Sequence, residues 1–363
     1  TQAGRIGAGI ILPSNPTLQV EARPGLNDGT EGELGYSAIL SALFEVGGAP
    51  GARVREAEER SVVAQTEAML SRLDAKVAVT EAYVANQLAR DQLDYATEAR
   101  DIAEHMVSVA HERSNAGAGS DVELTTAGAE LAERRAEMHA AAASEALAQM
   151  SLRLLADLPV SGTLRLVSAI DDIPPAPASE VMAERARTER PDLALVEARL
   201  SRLRATETRL SRELYPKVGA YLGVDAAPSS PWFGQIGVQI ELPFVQRNQQ
   251  ARAVLAEQRD SEGEVAAVLL KRIDLELTHR RLAHEEARAE LAVLVGEGIP
   301  VAQRRLQLVE EGWRSGRFDV FRVTKAAEDL VRLKALRLSV LQRIWRERLA
   351  LERLVGGFFD AKT

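Results

Sequence analysis

From Ala52 to Arg113 the chain contains neither proline nor glycine, and few folds can use such a run. As one helix rising 1.5 Å per residue it would extend about 90 Å, more than a compact domain can bury. Its apolar residues keep a sevenfold rhythm through Val63, Leu70, Val77 and Val84, skip four residues, and resume at Leu88, Tyr95, Ile102 and Val109. An inserted four locally unwinds a left-handed supercoil and straightens the packing, which suits a cylindrical wall better than a two-stranded rope. Leu124, Leu131 and Met138 carry the rhythm into a returning helix, and Val268, Leu275 and Leu282 show it further on. Aromatic residues are only 4% of a chain that is 46% apolar, so these helices pack through alanine and aliphatic side chains.

The pattern occurs twice. Asn15-Pro16-Thr17-Leu18 is matched by Tyr215-Pro216-Lys217-Val218, and Leu43-Phe44 by Pro243-Phe244, at an offset of 200. The offset then becomes 199: Ala57-Glu58-Glu59-Arg60 matches Ala256-Glu257-Gln258-Arg259, Gly117 matches Gly316, Ala127 matches Ala326, and Leu131 matches Leu330. Helices rich in Ala, Glu and Arg resemble one another by chance, but shared Pro, Phe and Gly landmarks favour a duplication. Residues 1–160 form the first copy, strand, strand, long helix, long helix. Residues 161–179 belong to a proline-rich linker at the waist of the helical part, with Pro174-Pro175-Ala176-Pro177. Residues 180–363 form the second copy, opened by a helix from about Glu180 to Glu213 that has no counterpart before Pro16.

Period-two alternation marks the strands. Leu18, Val20 and Ala22 alternate with polar residues, as do Val218, Ala220, Leu222 and Val224, and Ile236, Val238, Ile240 and Leu242. The stretch from Tyr36 to Phe44 alternates poorly. Pro24 to Gly35 and Ala227 to Ser230 read as exposed connections. Four strands cannot close a barrel, since about eight are needed before side chains fill the interior. Open edges cannot stand in lipid either, because unsatisfied backbone groups cost several kcal/mol each. The expected fold is therefore mainly α with a β-barrel part: antiparallel helical hairpins form an α-barrel, and each protomer of a homotrimer gives four strands to a 12-stranded transmembrane barrel. Phe44, Tyr215 and Phe244 fall at strand-to-helix borders and Trp232-Phe233 in the far loop, the two places where barrels carry interface aromatics. The alternative is that they pin ordinary strand ends to a core.

Other chemistry is not supported. A net charge of −8 without a basic block speaks against nucleic acid. The chain has no cysteine, which removes disulfides and thiol catalysis. It begins at Thr1 without a signal peptide or lipid-accepting cysteine, as a processed or trimmed start would. No apolar run is long enough for a membrane-spanning helix. The five histidines form no ligand motif, and the spacing of His279 and His284 sends them to diverging helix faces with solvated roles. No catalytic residues, metal site or cofactor is expected, so the chain is not an enzyme.

With these residues in view, the chain resembles the TolC-like outer-membrane efflux proteins. The resemblance rests on Asn15-Pro16 and Tyr215-Pro216 opening each strand pair, Glu241-Leu242-Pro243-Phe244 closing the second, and Arg190-Pro191-Asp192-Leu193 opening a helix. Arg113, Gly117 and Ser120, then Gly312, Gly316 and Asp319, look like the family's turns between long helices. The resemblance implies a passive exit duct in the bacterial outer membrane that reaches into the periplasm and exports small molecules or metal ions. Its implied partners are a periplasmic adaptor (membrane fusion) protein, an inner-membrane pump of RND type, and outer-membrane lipid. Those six turn residues would lie at the periplasmic tip and meet the adaptor. Glycine also suits a sharp reversal, and Ser120 and Asp319 suit plain helix capping. Where family members often carry carboxylates at the pore constriction, this chain has Arg322 and Lys325, which either line the entrance or sit on a solvated face. The stretch Gly316 to Arg322 leans toward the heavy-metal-exporter branch. A periplasmic adaptor would need a lipoyl-like β-domain, which is not seen. A soluble coiled-coil scaffold would leave the paired strands without a purpose.

Overall fold

A computed structural model describes residues 2–24, 34–117, 119–167, 170–171, 173, 175–226 and 231–359. The expected connections at 25–33 and 227–230, and Pro174, lie outside the described residues. The chain divides into two compact units, Thr1–Leu70 with Pro191–Leu270, and Ser71–Arg190 with Lys271–Thr363. Each unit therefore draws segments from both sequence copies.

The first unit holds a four-stranded antiparallel sheet of β1 (Thr17–Pro24), β2 (Leu34–Glu45), β3 (Lys217–Ala226) and β4 (Phe233–Glu241), in spatial order β1-β2-β3-β4. The pairings Leu18 with Leu40, Leu40 with Leu222, and Leu222 with Ile236 fix one continuous register. A short helix α1 (Gln2–Ala8) precedes β1, so the first copy has a brief helical lead-in that the sequence did not disclose.

Helix α2 runs unbroken over Ala49–Asn115 and α3 over Asp121–Leu155. Val63, Val84, Leu88 and Val109 are buried, so the heptads on both sides of the skipped four residues face a core. The entry helix of the second copy is two helices, α4 (Ser179–Thr188) and α5 (Pro191–Arg212). Pro191 explains the break, because proline disfavours a helical conformation in the residue before it. Then come α6 (Gln249–Val293), a π-helical turn at Leu294–Gly298, α7 (Ile299–Arg314) and α8 (Val320–Leu354). Helices α3 and α8 are each 35 residues long and start 199 apart, the same offset as the matching sequence landmarks. Ala127 and Ala326 are both buried, as are Leu131 and Leu330. In the second unit the linker lies against α8: Ile170 and Ile173 join a core with Leu341 and Ile344, and the Trp345 indole N–H donates to the Ile170 carbonyl at 3.0 Å.

Two expectations are corrected. Val268, Leu275 and Leu282 are exposed, and the core side of α6 is instead Ile273, Leu277, His284 and Ala287. The heptad is there, but it faces away from the chain's own helices. His284 is not solvated: its ring is fully buried, and neither ring nitrogen has a hydrogen-bond partner among the described residues. Burial first, then the cations Arg288 and Arg348, lower its pKa to about 4, against the pull of Glu285 and Glu347. Between about pH 6.5 and 4 the unfolded chain binds a proton that the folded chain refuses, so acid weakens the fold. His284→Leu is expected to raise the melting temperature in detergent. The gain relative to the parent should grow by about 2 kcal/mol between pH 7 and pH 5. A gain that does not depend on pH would show the ring to be protonated or hydrated in the fold.

Candidate functional site

Two nearly identical turns close the helical hairpins of the second unit. Past α2 the chain reverses at Gly117 with φ of 70°, and past α7 at Gly316 with φ of 73°. Both values lie in the left-handed region that costs glycine little. Each returning helix is then capped at its N-terminus. The Ser120 hydroxyl accepts from the Glu123 N–H at 3.2 Å, and the Asp319 carboxylate accepts from the Arg322 N–H at 3.0 Å. Capping therefore accounts for both residues without a partner.

Gly312 is required for a different reason. A Cβ there would fall 2.2 Å from the Phe318 ring, and the Arg317 and Phe318 N–H groups donate to the Gly312 carbonyl at 2.8 and 3.2 Å. The turn thus folds an aromatic ring onto bare backbone. Arg113 joins the two hairpins. Its Nη1 donates to the Trp313 carbonyl at 3.1 Å, and its Nε lies 3.5 Å from the Glu123 carboxylate in the first hairpin. Around it Met106, Val109, Ala110 and Ala127 pack with Trp313, Val320 and Val323 in one buried cluster. His105 contacts Arg314 across the hairpins, and burial raises the Glu310 carboxyl above its ordinary range despite His105 and Arg314 nearby. Sequence reasoning missed Trp313 and Phe318; in so aromatic-poor a chain, their position around the second turn was the available signal.

Arg322 and Lys325 are exposed on the first turns of α8. The Arg322 guanidinium stands 5.0 Å from the centre of the Phe318 ring. The Lys325 ammonium lies 3.3 Å from Glu328 and 3.5 Å from Asp329. Desolvation would raise the Asp329 pKa, but hydrogen bonds from Arg305 and Lys325 outweigh it and hold that carboxyl below its ordinary range. Lys325 thus sits among acidic neighbours on its own helix, while Arg322 lies over an aromatic ring of the turn.

The register sorts the sheet of the first unit into two unlike faces. One face carries Leu18, Val20, Ala22, Tyr36, Ala38, Leu40, Ala42 and Phe44, continued by Val218, Ala220, Leu222, Val224, Ile236, Val238 and Ile240, with no charged side chain. The other carries Gln19, Glu21, Arg23, Ser37, Ser41, Lys217, Asp225, Gln235, Gln239 and Glu241. Ile39 and Leu43 break the alternation because they pair with Gly223 and Gly219 on the polar face. A Cβ on either glycine would lie 3.0 Å from those aliphatic side chains, and one on Gly237 would lie 2.3 Å from the Tyr221 hydroxyl. Glycines thus seat large side chains flat on the polar face, and for that reason β2 alternates poorly. Phe44, Tyr215, Trp232 and Phe244 are all exposed at strand ends, and Tyr215 packs so close to Gly47 that a Cβ there would fall 2.2 Å from its own.

A sheet apolar on one side and polar on the other, joined in one chain to long helices closed by paired turns, defines a membrane channel subunit of β-barrel and helical hairpins. Comparison with known proteins gives the particular kind. The outer membrane efflux protein family matches over residues 14–156. The cobalt-zinc-cadmium resistance protein CzcC of Cupriavidus metallidurans is 26% identical over 360 residues, spanning 98% of this chain and 84% of CzcC. The outer-membrane channel OprN superposes with a TM-score of 0.77 at 17% identity, over 98% of this chain and 84% of OprN. CusC superposes at 0.76 and 17%, over 98% and 86%. Over residues 14–156 the chain thus matches the outer membrane efflux protein family, and over nearly its whole length it shares the fold of the TolC-like channels. It is an efflux channel of the outer membrane, not an enzyme.

Proposed function

We propose that three copies of the chain assemble a duct that receives cargo from a periplasmic adaptor protein and an inner-membrane RND-type pump and passes it outward. The observation that carries this is the sheet. Its outer strands β1 and β4 have no further partner strand among the described residues, and its apolar face is suited to lipid. Three such sheets joined edge to edge give twelve strands, an even number wide enough for a lumen lined by the polar face. Residues 1–160 and 180–363 are the two duplicated halves of each protomer, with 161–179 as the linker. Phe44, Tyr215, Trp232 and Phe244 mark the membrane borders.

The turns at Gly117 and Gly316 form the periplasmic tip, where Arg113, Ser120, Gly312 and Asp319 shape the surface that meets the adaptor. Resemblance to CzcC favours divalent metal ions as cargo. With Arg322 and Lys325 at positions where the family resemblance implies carboxylates, the entrance is not a cation-selecting acidic ring. Detergent-purified protein is expected to have the mass of three chains by light scattering. In planar bilayers Arg322→Asp is expected to shift ion selectivity toward cations. A monomer without detergent would sink the duct; unchanged selectivity would place Arg322 off the pore.

A further inference from the structure

The N-terminal segment of the first unit exposes apolar surface that neither the sheet nor the hairpin turns explain. Ile6 is 80% exposed, Ile10 52% and Ile11 58%. Yet the segment is firmly held. Arg5 pairs with Glu58 at 2.6 Å. Arg53, on the second turn of α2, donates to the Ala8 carbonyl at 3.2 Å and the Ile10 carbonyl at 2.7 Å. The same guanidinium pairs with Glu45 at 2.5 Å, and the Glu45 N–H donates to the Ile11 carbonyl at 3.1 Å. The polar groups of the attachment are thus satisfied among themselves, and the isoleucine side chains are what the segment leaves uncovered.

The place of attachment says what covers them. Glu45 is the last residue of β2, directly after Phe44 at the end of the apolar sheet face. That face continues beyond the strands in the same alternation, with Val46 64% exposed after Phe44 and Phe244 71% exposed after Leu242. Ile11 is fastened where this apolar band ends, with Ile6 and Ile10 following on the same clamped segment. We propose that residues 6–11 form an interfacial anchor, with Ile6, Ile10 and Ile11 seated at the boundary of acyl chains and headgroups in the adjoining leaflet. Such a boundary accepts apolar side chains while the backbone and charges of the segment stay in the polar layer. The inference rests on the reading that the apolar sheet face lies in the membrane.

The absence of native cysteine makes the test direct. Ile10→Cys, Phe44→Cys and Gln239→Cys would each carry a nitroxide label in the full chain, reconstituted in phospholipid vesicles. Collisions with oxygen, which concentrates in lipid, are then compared with collisions with a water-soluble nickel chelate. The Ile10 label is expected to favour oxygen as the Phe44 label does, and the Gln239 label to favour nickel. An Ile10 label open to nickel, beside a Phe44 label in lipid, overturns the anchor and leaves the barrel intact. An Ile10 label shielded from both reagents overturns it in favour of contact with a neighbouring copy. A Phe44 label open to nickel overturns the membrane reading of the sheet and the anchor with it.

Discussion

Arginine in place of Ile236 is expected to deplete the protein from the outer membrane, while arginine in place of its neighbour Gln235 leaves it there. Ile236 is 88% exposed and pairs with Leu222, which pairs with Leu40, so it belongs to the apolar row near mid-strand. Gln235 is one residue away on the opposite face, beside Gly223. An arginine facing lipid near the bilayer midplane costs about 2–4 kcal/mol, and one facing a watery lumen costs little. In a trimer the penalty falls three times, against total stabilities of about 5–15 kcal/mol for a folded domain. Heat-resistant oligomer in the outer-membrane fraction is the readout. If Gln235→Arg were the damaging change, the two faces would have to be exchanged.

The faces of β1, β3 and β4 were legible because an apolar residue recurs at every second position through most of each strand. β2 was not, since Ile39 and Leu43 lie on the polar side over Gly223 and Gly219, and cross-strand neighbours are invisible to a one-strand periodicity. The hairpin turns were read at Gly117, Ser120, Gly316 and Asp319 because positive φ and capping are local demands on residue type. Arg113 was singled out with its own turn, but its bond to Trp313 joins residues 200 apart and needed the fold. Helix periodicity gave the seams of α2 and α3, yet failed for α6. Val268, Leu275 and Leu282 form as regular a row as the buried one, and sequence does not say which row meets its own chain. His284 falls on the buried row, seven residues after Leu277, and spacing to His279 was the wrong comparison. Pro191 was visible throughout, and its rule for the preceding residue places the break that the reading of one continuous helix passed over.

Arg113→Ala is expected to loosen the proposed entrance and make the channel leak. The parent side chain reaches from one hairpin to the Trp313 carbonyl of the other and is only 18% exposed, so solvent cannot replace both contacts at once. Hydrogen bonds that involve a charged group contribute about 1.5–3 kcal/mol. Lost from each protomer, even the lower figure shifts an equilibrium between packed and splayed hairpins by roughly tenfold. Entry of a bulky hydrophilic antibiotic into intact cells, and open probability in bilayers, should both rise. Glu123→Gln weakens only the contact made within the first hairpin, so its effect should be smaller. Arg113→Lys keeps the charge but has one nitrogen where the parent has three, and should fall between the two. The hydrophobic cluster around Trp313 is untouched in all three variants, so folded protein is expected in each case. Should Arg113→Ala assemble normally yet stay as tight as the parent, the hairpins are held shut by that cluster, and Arg113 serves only to finish the turn.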